Sequence, residues 1–351
     1  MSDTLTKLTY QAFQQGKSYF GITHKILSTR LMQFISPRER TSQPIPTEIL
    51  LKLQQRLNNL QEVDWEDAEL GVYPKSFLFD NPWEDFFRYY PLIWLDMPEI
   101  WDRANQKRYQ DFAPEVDIDG YPSYYAQNFH HQTNGYLSDL SANLYDLQVE
   151  ILFQGSADAM RRRILAPLKK SLEVFKDLTP RQVRVLDVAC GTGRTLRMIR
   201  ATLPQASLFG TDLSPAYLRK ANDLLSEIPG ELPQLLQANA EELPYIDNYF
   251  HAVTSVFLFH ELPATARQRV IEECFRVTKP GGVFIICDSI QMSDSPEMEP
   301  LMENFHETFH EPYYKHYMTD DLVGRLEKAG FVNIEMQVHF MSKYLIARKA
   351  A

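Results

Sequence analysis

A glycine loop set between a strand-like run and a helical run is what most constrains this chain. Val183 to Leu186 is mostly apolar and leads to Asp187; Cys190-Gly-Thr-Gly193 follows, and a helical run extends from Thr195 to Thr202. Glycine lets the backbone approach a ligand closely, and the first turn of a helix presents unpaired N–H groups. A lone G-x-G is weak, but here the next strand-like run also ends in an acid, Asp212. A carboxylate accepts hydrogen bonds from two ribose hydroxyls at once, so the arrangement points to a nucleotide-like cofactor. It is not the full dinucleotide fingerprint, because position 196 is leucine where a third glycine is expected. Asp187, at the end of the first strand, favours a ligand carrying positive charge and repels a diphosphate.

The texture around the loop fixes the fold class. Strands are expected at Val183–Val188, Ser207–Thr211, Gln234–Gln237, Ala252–Val256 and Val283–Cys287, with helices at Thr195–Thr202, Pro215–Ser226 and Thr265–Thr278. This βαβ rhythm is that of an α/β, doubly wound parallel sheet. After a helix at Asp320–Ala329, the adjacent runs Phe331–His339 and Met341–Arg348 suggest a strand reversal at the sheet edge.

The first part of the chain reads differently. Tryptophan, phenylalanine, tyrosine and proline crowd between Trp65 and Trp101, without strand–helix alternation. Helices broken by proline are expected there. Thr47–Leu60 and Ser156–Val174 have apolar residues at helical spacing, with Ser156 as a capping residue. Arg161-Arg162-Arg163 reads as a solvated face. The first forty or so residues, closed by Arg38-Glu39-Arg40 and Pro44/Pro46, read as a loosely packed helical arm.

A chain of 351 residues has room for two domains. A net charge of −10 disfavours a nucleic-acid partner. No apolar run is long enough for a membrane span, and the N-terminus has no secretory h-region. Cys190, Cys274 and Cys287 have neither an even count nor C-x-x-C spacing, so a reducing, cytoplasmic setting is expected and no metal site.

Four further stretches act as a set: Val185-Leu-Asp-Val-Ala-Cys-Gly-Thr-Gly193, Gly210-Thr-Asp-Leu-Ser214, Asn239-Ala-Glu-Glu-Leu-Pro244 followed by Asp247-Asn-Tyr-Phe250, and Arg276-Val-Thr-Lys-Pro-Gly-Gly282. From about Leu178 onward the chain resembles class I S-adenosylmethionine-dependent methyltransferases, nearest in texture to the ubiquinone/menaquinone C-methyltransferase branch. The resemblance implies a Rossmann-like, seven-stranded sheet whose last strand is antiparallel. It implies S-adenosyl-L-methionine as cofactor, with Asp187, Ala189, Gly191 and Gly193 bordering its methionine part. By the same resemblance Asp212 holds the ribose, Leu213 packs on the adenine, and Asn239 and Ala240 sit at the adenine edge. Asn239 departs from the aspartate many relatives carry, and His251 departs in the same way. The implied division is a mainly helical, aromatic-rich cap over residues 1–155 and a methyltransferase domain over 156–351.

The acceptor is expected beyond the end of the fourth strand, near Phe257, Phe259, His260 and Glu261. His260 is the candidate base and Glu261 its orienting partner. Phe257, Phe259, His306, His310 and Tyr313 are candidate lid residues. Tyr136 and Tyr145 are expected to cap the cofactor, Tyr145-Asp146 resembling a pair often found there. His306-Glu-Thr-Phe-His310 superficially matches H-E-x-x-H, but no third ligand is apparent. Three functions follow: methyl transfer to a small, apolar or aromatic acceptor of quinone or phenol kind; methylation of a protein docked on the N-terminal region; or a non-catalytic cofactor-binding scaffold.

Overall fold

The computed structural model describes residues 2–35 and 45–351, so Arg38-Glu39-Arg40 and Pro44 lie outside the described residues. Its centre is a seven-stranded sheet: β1 Arg184–Val188, β2 Ser207–Asp212, β3 Gln234–Gln237, β4 Phe250–Val256, β5 Thr278–Ser289, β6 Phe331–His339 and β7 Ser342–Lys349. The order is β3-β2-β1-β4-β5-β7-β6. β3, β2, β1, β4 and β5 pair in parallel, whereas β7 runs antiparallel between β5 and β6. The central strands are nearly continuous apolar runs because helices cover both faces of a parallel sheet; Val185, Leu186, Val253 and Phe284 are fully buried. The winding reverses between β1 and β4. Ligands of such sheets bind beyond the strand C-termini at that reversal.

Among the described residues, six α-helices precede the sheet: α1 Ser2–Ile35, α2 Thr47–Glu69, α3 Trp83–Gln106, α4 Asp139–Leu152, α5 Ala157–Arg162 and α6 Leu165–Ser171. Tyr10, Trp65, Tyr73 and Leu78 share one apolar cluster with Val185, Ile199 and Tyr344, so these helices and the sheet pack into a common core. The arm expected at the N-terminus is one continuous helix. It buries Tyr10, Gln14 and His24 and leaves Leu5, Tyr19 and Ile26 exposed. No helix among the described residues is long and apolar enough to cross a membrane.

Two expectations here are corrected. Ser156–Val174 is not one helix: α5 and α6 are separate, a 3-10 turn covers Leu172–Phe175, and the Ser156 hydroxyl donates to the Phe153 carbonyl at 2.5 Å instead of capping. Nor is the arginine run solvated. Arg161, Arg162 and Arg163 are all buried, because acidic side chains from α2 and from α5 itself meet them. Arg162 makes a two-pronged pair with Asp64 at 2.8 and 2.6 Å, Arg161 meets Asp158 at 2.9 Å, and Arg163 pairs with Asp67. Charge runs are solvated by default only when no counter-charge folds over them.

The remaining helices flank the sheet: α7 Arg194–Thr202, α8 Pro215–Ser226, α9 Ala264–Val277, α10 Glu299–Thr308, α11 Tyr314–Tyr317 and α12 Leu322–Ala329. Gly193 starts α7 with φ 79°, and a Cβ there would lie 3.0 Å from the Ala221 Cβ of α8. Glycine therefore serves both the turn and the close packing of α7 on α8.

Candidate active site

At the reversal, the ends of β1, β2 and β4 open into a cleft. It is lined by Ala189 and Gly191 after β1, Asp212 and Leu213 at β2, Ala238 to Ala240 after β3, and Val256 to Leu258 at β4. About 810 Å³ inside it is free of protein atoms, open solvent at the mouth included.

Backbone bonds hold the acid of β2 in place. Asp212 Oδ2 accepts from the Gly191 N–H at 2.9 Å and Oδ1 from the Ser214 N–H at 2.8 Å. Burial pushes its pKa up, those N–H groups pull it back, and the balance is about 6. Asp187 lies beneath the loop and accepts from the Thr254 hydroxyl at 2.7 Å; burial raises its pKa to about 7. The charges that act on these two acids are other carboxylates: Asp212 on Asp187, and Glu261 on Asp212. A cationic ligand fits such a site, since it would offset both carboxylates at once. Asn239 Oδ1 is engaged by the Glu241 N–H at 2.9 Å, which leaves its amide NH₂ as the group free to donate.

Aromatic side chains form the other wall: Tyr124, Tyr125, Phe129, Tyr136, Tyr145 and Tyr217 all line the cleft. The Phe129 and Tyr136 rings stack at 5.5 Å, and Tyr217 lies edge-on to Tyr136, also at 5.5 Å. The Ser214 hydroxyl donates to the Tyr136 carbonyl at 2.6 Å while accepting from the Tyr217 N–H, so the cap of α8 also anchors the tyrosine segment. Thr192 donates to Asp146 at 2.7 Å and ties α4 to the glycine loop.

The expected site residues therefore divide. Ala189, Gly191, Asp212, Leu213, Asn239, Ala240, Tyr136, Tyr145, Phe257 and Glu261 meet in the cleft. Asp187 and Gly193 lie behind its floor, the first fully buried and the second turned toward α8. Phe259 is not a lid residue: it is fully buried in the core beside Phe284. His306, His310 and Tyr313 do not line the cleft either. α10 ends at Thr308, and His310 stacks on Tyr109 at 4.0 Å with its Nε2 2.9 Å from Gln127 Oε1, so the two histidines do not form a helical chelate. His251 is buried on β4, where its Nδ1 accepts from the Arg184 N–H at 2.9 Å.

His260 is corrected in its chemistry. Its Nδ1 lies 2.7 Å from Asp288 Oδ1, and Asp288 Oδ2 accepts from the Phe259 N–H at 2.7 Å. Burial alone would lower the imidazole's pKa, but Asp288 outweighs it and brings the value to about 9. At neutral pH His260 is therefore an imidazolium, a donor and not a base. Glu261 does not orient His260; its Oε1 accepts from the Tyr136 hydroxyl at 2.5 Å.

Sequence reasoning passed over Tyr124, Tyr125, Phe129 and Tyr217. The first three shortly precede Tyr136, the ring chosen from that part of the chain, whereas Tyr217 gave no signal beyond a place in the first turn of a helix.

A family model described as a methyltransferase domain matches residues 185–282, the span from β1 through the start of β5. Residues 185–282 are thus similar to a methyltransferase domain. Similar proteins include a demethylmenaquinone methyltransferase of Thermotoga maritima, 32% identical over 152 residues, 43% of this chain and 59% of that protein. A ubiquinone/menaquinone biosynthesis C-methyltransferase of Burkholderia orbicola is 35% identical over 112 residues, 32% of this chain and 45% of that protein. The chain thus spans about half the length of these curated relatives. Among solved structures, a putative methyltransferase from Bacillus halodurans overlaps 52% of this chain and 99% of its own at 20% identity and TM-score 0.39. A magnesium protoporphyrin IX methyltransferase from Synechocystis PCC 6803 with bound SAH overlaps 56% and 87% at 14% identity and TM-score 0.43. S-adenosyl-L-methionine is the cofactor that goes with a methyltransferase domain, and its positive groups suit a cleft lined by Asp212 with Asp187 behind its floor.

Proposed function

We propose that this chain transfers a methyl group from S-adenosyl-L-methionine to a small apolar or aromatic acceptor of the quinone or phenol kind. The observation that carries the reading is the cleft itself: the Asp212 carboxylate, with Asp187 behind the floor, on one side and six aromatic rings on the other. Residues 156–351 carry the transfer, and residues 1–155 act as the cap. The quinone nudge comes from what the two relatives are named for, and one core serves many acceptors.

The cofactor supplies a methyl group already activated by its sulfonium. The chain's own part is to bind, orient and exclude water. Asp212 and the Asn239 amide would hold the nucleoside, and Asp187 with the backbone after β1 would hold the amino-acid end. The tyrosine wall orients a flat acceptor and keeps the cleft dry. Asp212 and Glu261 are the carboxylates among the cleft-lining residues, and Glu261 can accept a hydrogen bond from an acceptor hydroxyl. His260, held charged by Asp288, fixes the turn that presents Glu261.

One observation favours a protein acceptor as a second reading: α3 exposes Trp83, Phe87 and Leu95. The test incubates purified protein with methyl-labelled S-adenosylmethionine and a lysate of its source organism. Label in the organic extract supports the small apolar acceptor; label in the protein precipitate supports docking on the N-terminal helices; label in neither contradicts both.

A further inference from the structure

His130, Glu261 and Glu311 come from three separate parts of the chain and converge. His130 Nε2 lies 2.8 Å from Glu311 Oε1 and 3.6 Å from Glu261 Oε1. One ligand atom from each lies within 4.8 Å of the others. The Glu311 side chain is fully buried, yet neither of its oxygens accepts an aligned hydrogen bond. A buried carboxylate in that state calls for a cation. His130 supplies at most one positive charge against two negative ones, and His260, whose Nε2 lies 4.0 Å from Glu261 Oε1, is already paired with Asp288.

Contacts outside the cluster set its geometry. His130 has φ 54° and His131 φ 58°, the left-handed region that residues other than glycine seldom occupy. Strain of that kind collects where a side chain must be aimed. The His130 N–H donates to the His310 carbonyl at 3.2 Å, which brings the segment against Glu311. Tyr136 fixes Glu261 through its hydroxyl.

We propose that His130, Glu261 and Glu311 bind one divalent cation of the Mn²⁺/Zn²⁺ class. An ion with bonds of about 2.0–2.1 Å spaces its ligand atoms roughly 2.9 Å apart in an octahedron and 3.3 Å in a tetrahedron. The observed 2.8 and 3.6 Å bracket those edges. Two carboxylates neutralise the dication, and one imidazole with two carboxylate oxygens suits a borderline ion better than Ca²⁺, which takes six to eight oxygens, or a soft ion, which takes sulfur. Binding displaces the imidazole proton. Glu261 also lines the cleft, so an acceptor oxygen can complete the coordination.

The site goes beyond the methyl-transfer reading and does not depend on it. Full-length protein is freed of metal by dialysis against a chelator and titrated with Mn²⁺ without cofactor, with the free ion counted by electron paramagnetic resonance. The expected result is one Mn²⁺ per chain, weakened by at least about tenfold in Glu311→Gln and in His130→Gln. Circular dichroism checks that each variant is folded, and the wild-type titration decides by itself if one is not. A free-ion signal that the wild type leaves undiminished, or equal binding by wild type and both folded variants, overturns the proposal. Mn²⁺ binding in a protein that fails to bind S-adenosylmethionine leaves this site standing and sinks the methyl-transfer reading; the reverse result sinks this site alone.

Discussion

In the proposed reading, the two acids beside the glycine loop make cofactor affinity depend on pH. Burial raises Asp187 to about 7 and Asp212 to about 6, so in the free chain each binds its proton more tightly folded than unfolded. Folding of the free chain therefore loses stability as pH climbs from the unfolded carboxylate range through those values, and a bound cation reverses the loss. S-adenosylmethionine affinity should rise with pH up to about 7, by at most about tenfold per unit for each carboxylate, as read by calorimetry. A flat profile would detach these acids from the ligand. His260 carries the opposite sign. Its folded value, about 9, lies above the unfolded 6.5, so the Asp288 contact stabilises fully below the unfolded value and is lost as pH rises through about 9. The wild type should exceed His260→Gln by on the order of 3 kcal/mol at low pH, with the gap closing as pH passes 9 in urea titrations. Asp187, Gly191 and Asp212 were legible as a set because strand, loop and acid follow one another in the chain. The chemistry of His260 was not, since Asp288 comes from a different strand.

Packing between elements rests on a few groups whose loss is costly. Tyr10 and Tyr73 both donate to Asp64 at 2.7 Å, the same carboxylate that Arg162 grips, which joins α1, α2 and α5 around one buried charge. Arg162→Met should destabilise by about 3–5 kcal/mol, because it leaves Asp64 buried without its cation. A loss below about 1 kcal/mol in a denaturant titration would show that Asp64 finds water instead. Gly193→Ala should cost about 1–3 kcal/mol through its positive φ and its contact with Ala221. Strand and helix positions in the sheet half read well from periodicity, and their ends moved by only a few residues, as at β4 and β5. Arg162 and Arg163 misread because their acidic partners, Asp64 and Asp67, lie far off in sequence. The Ser156–Val174 helix misread because apolar spacing alone does not register the breaks after Arg162 and Ser171.

For the whole molecule, the sheet reversal fixes where a ligand sits, and that much follows from strand order. Which side chains close over the cleft does not. Tyr125, Tyr136 and Tyr217 meet only after the segment before α4 folds onto α8. His130, Glu261 and Glu311 likewise converge from positions that no motif links. The central claim is that this cleft binds S-adenosylmethionine through the acid at the end of β2. The most direct measurement is isothermal titration of the full-length protein with S-adenosylmethionine, for wild type and Asp212→Ala in parallel. The account predicts one site per chain in the wild type and a loss of at least about tenfold, roughly 1.4 kcal/mol, in the variant. No heat of binding in the wild type, or equal affinity in both, would contradict it.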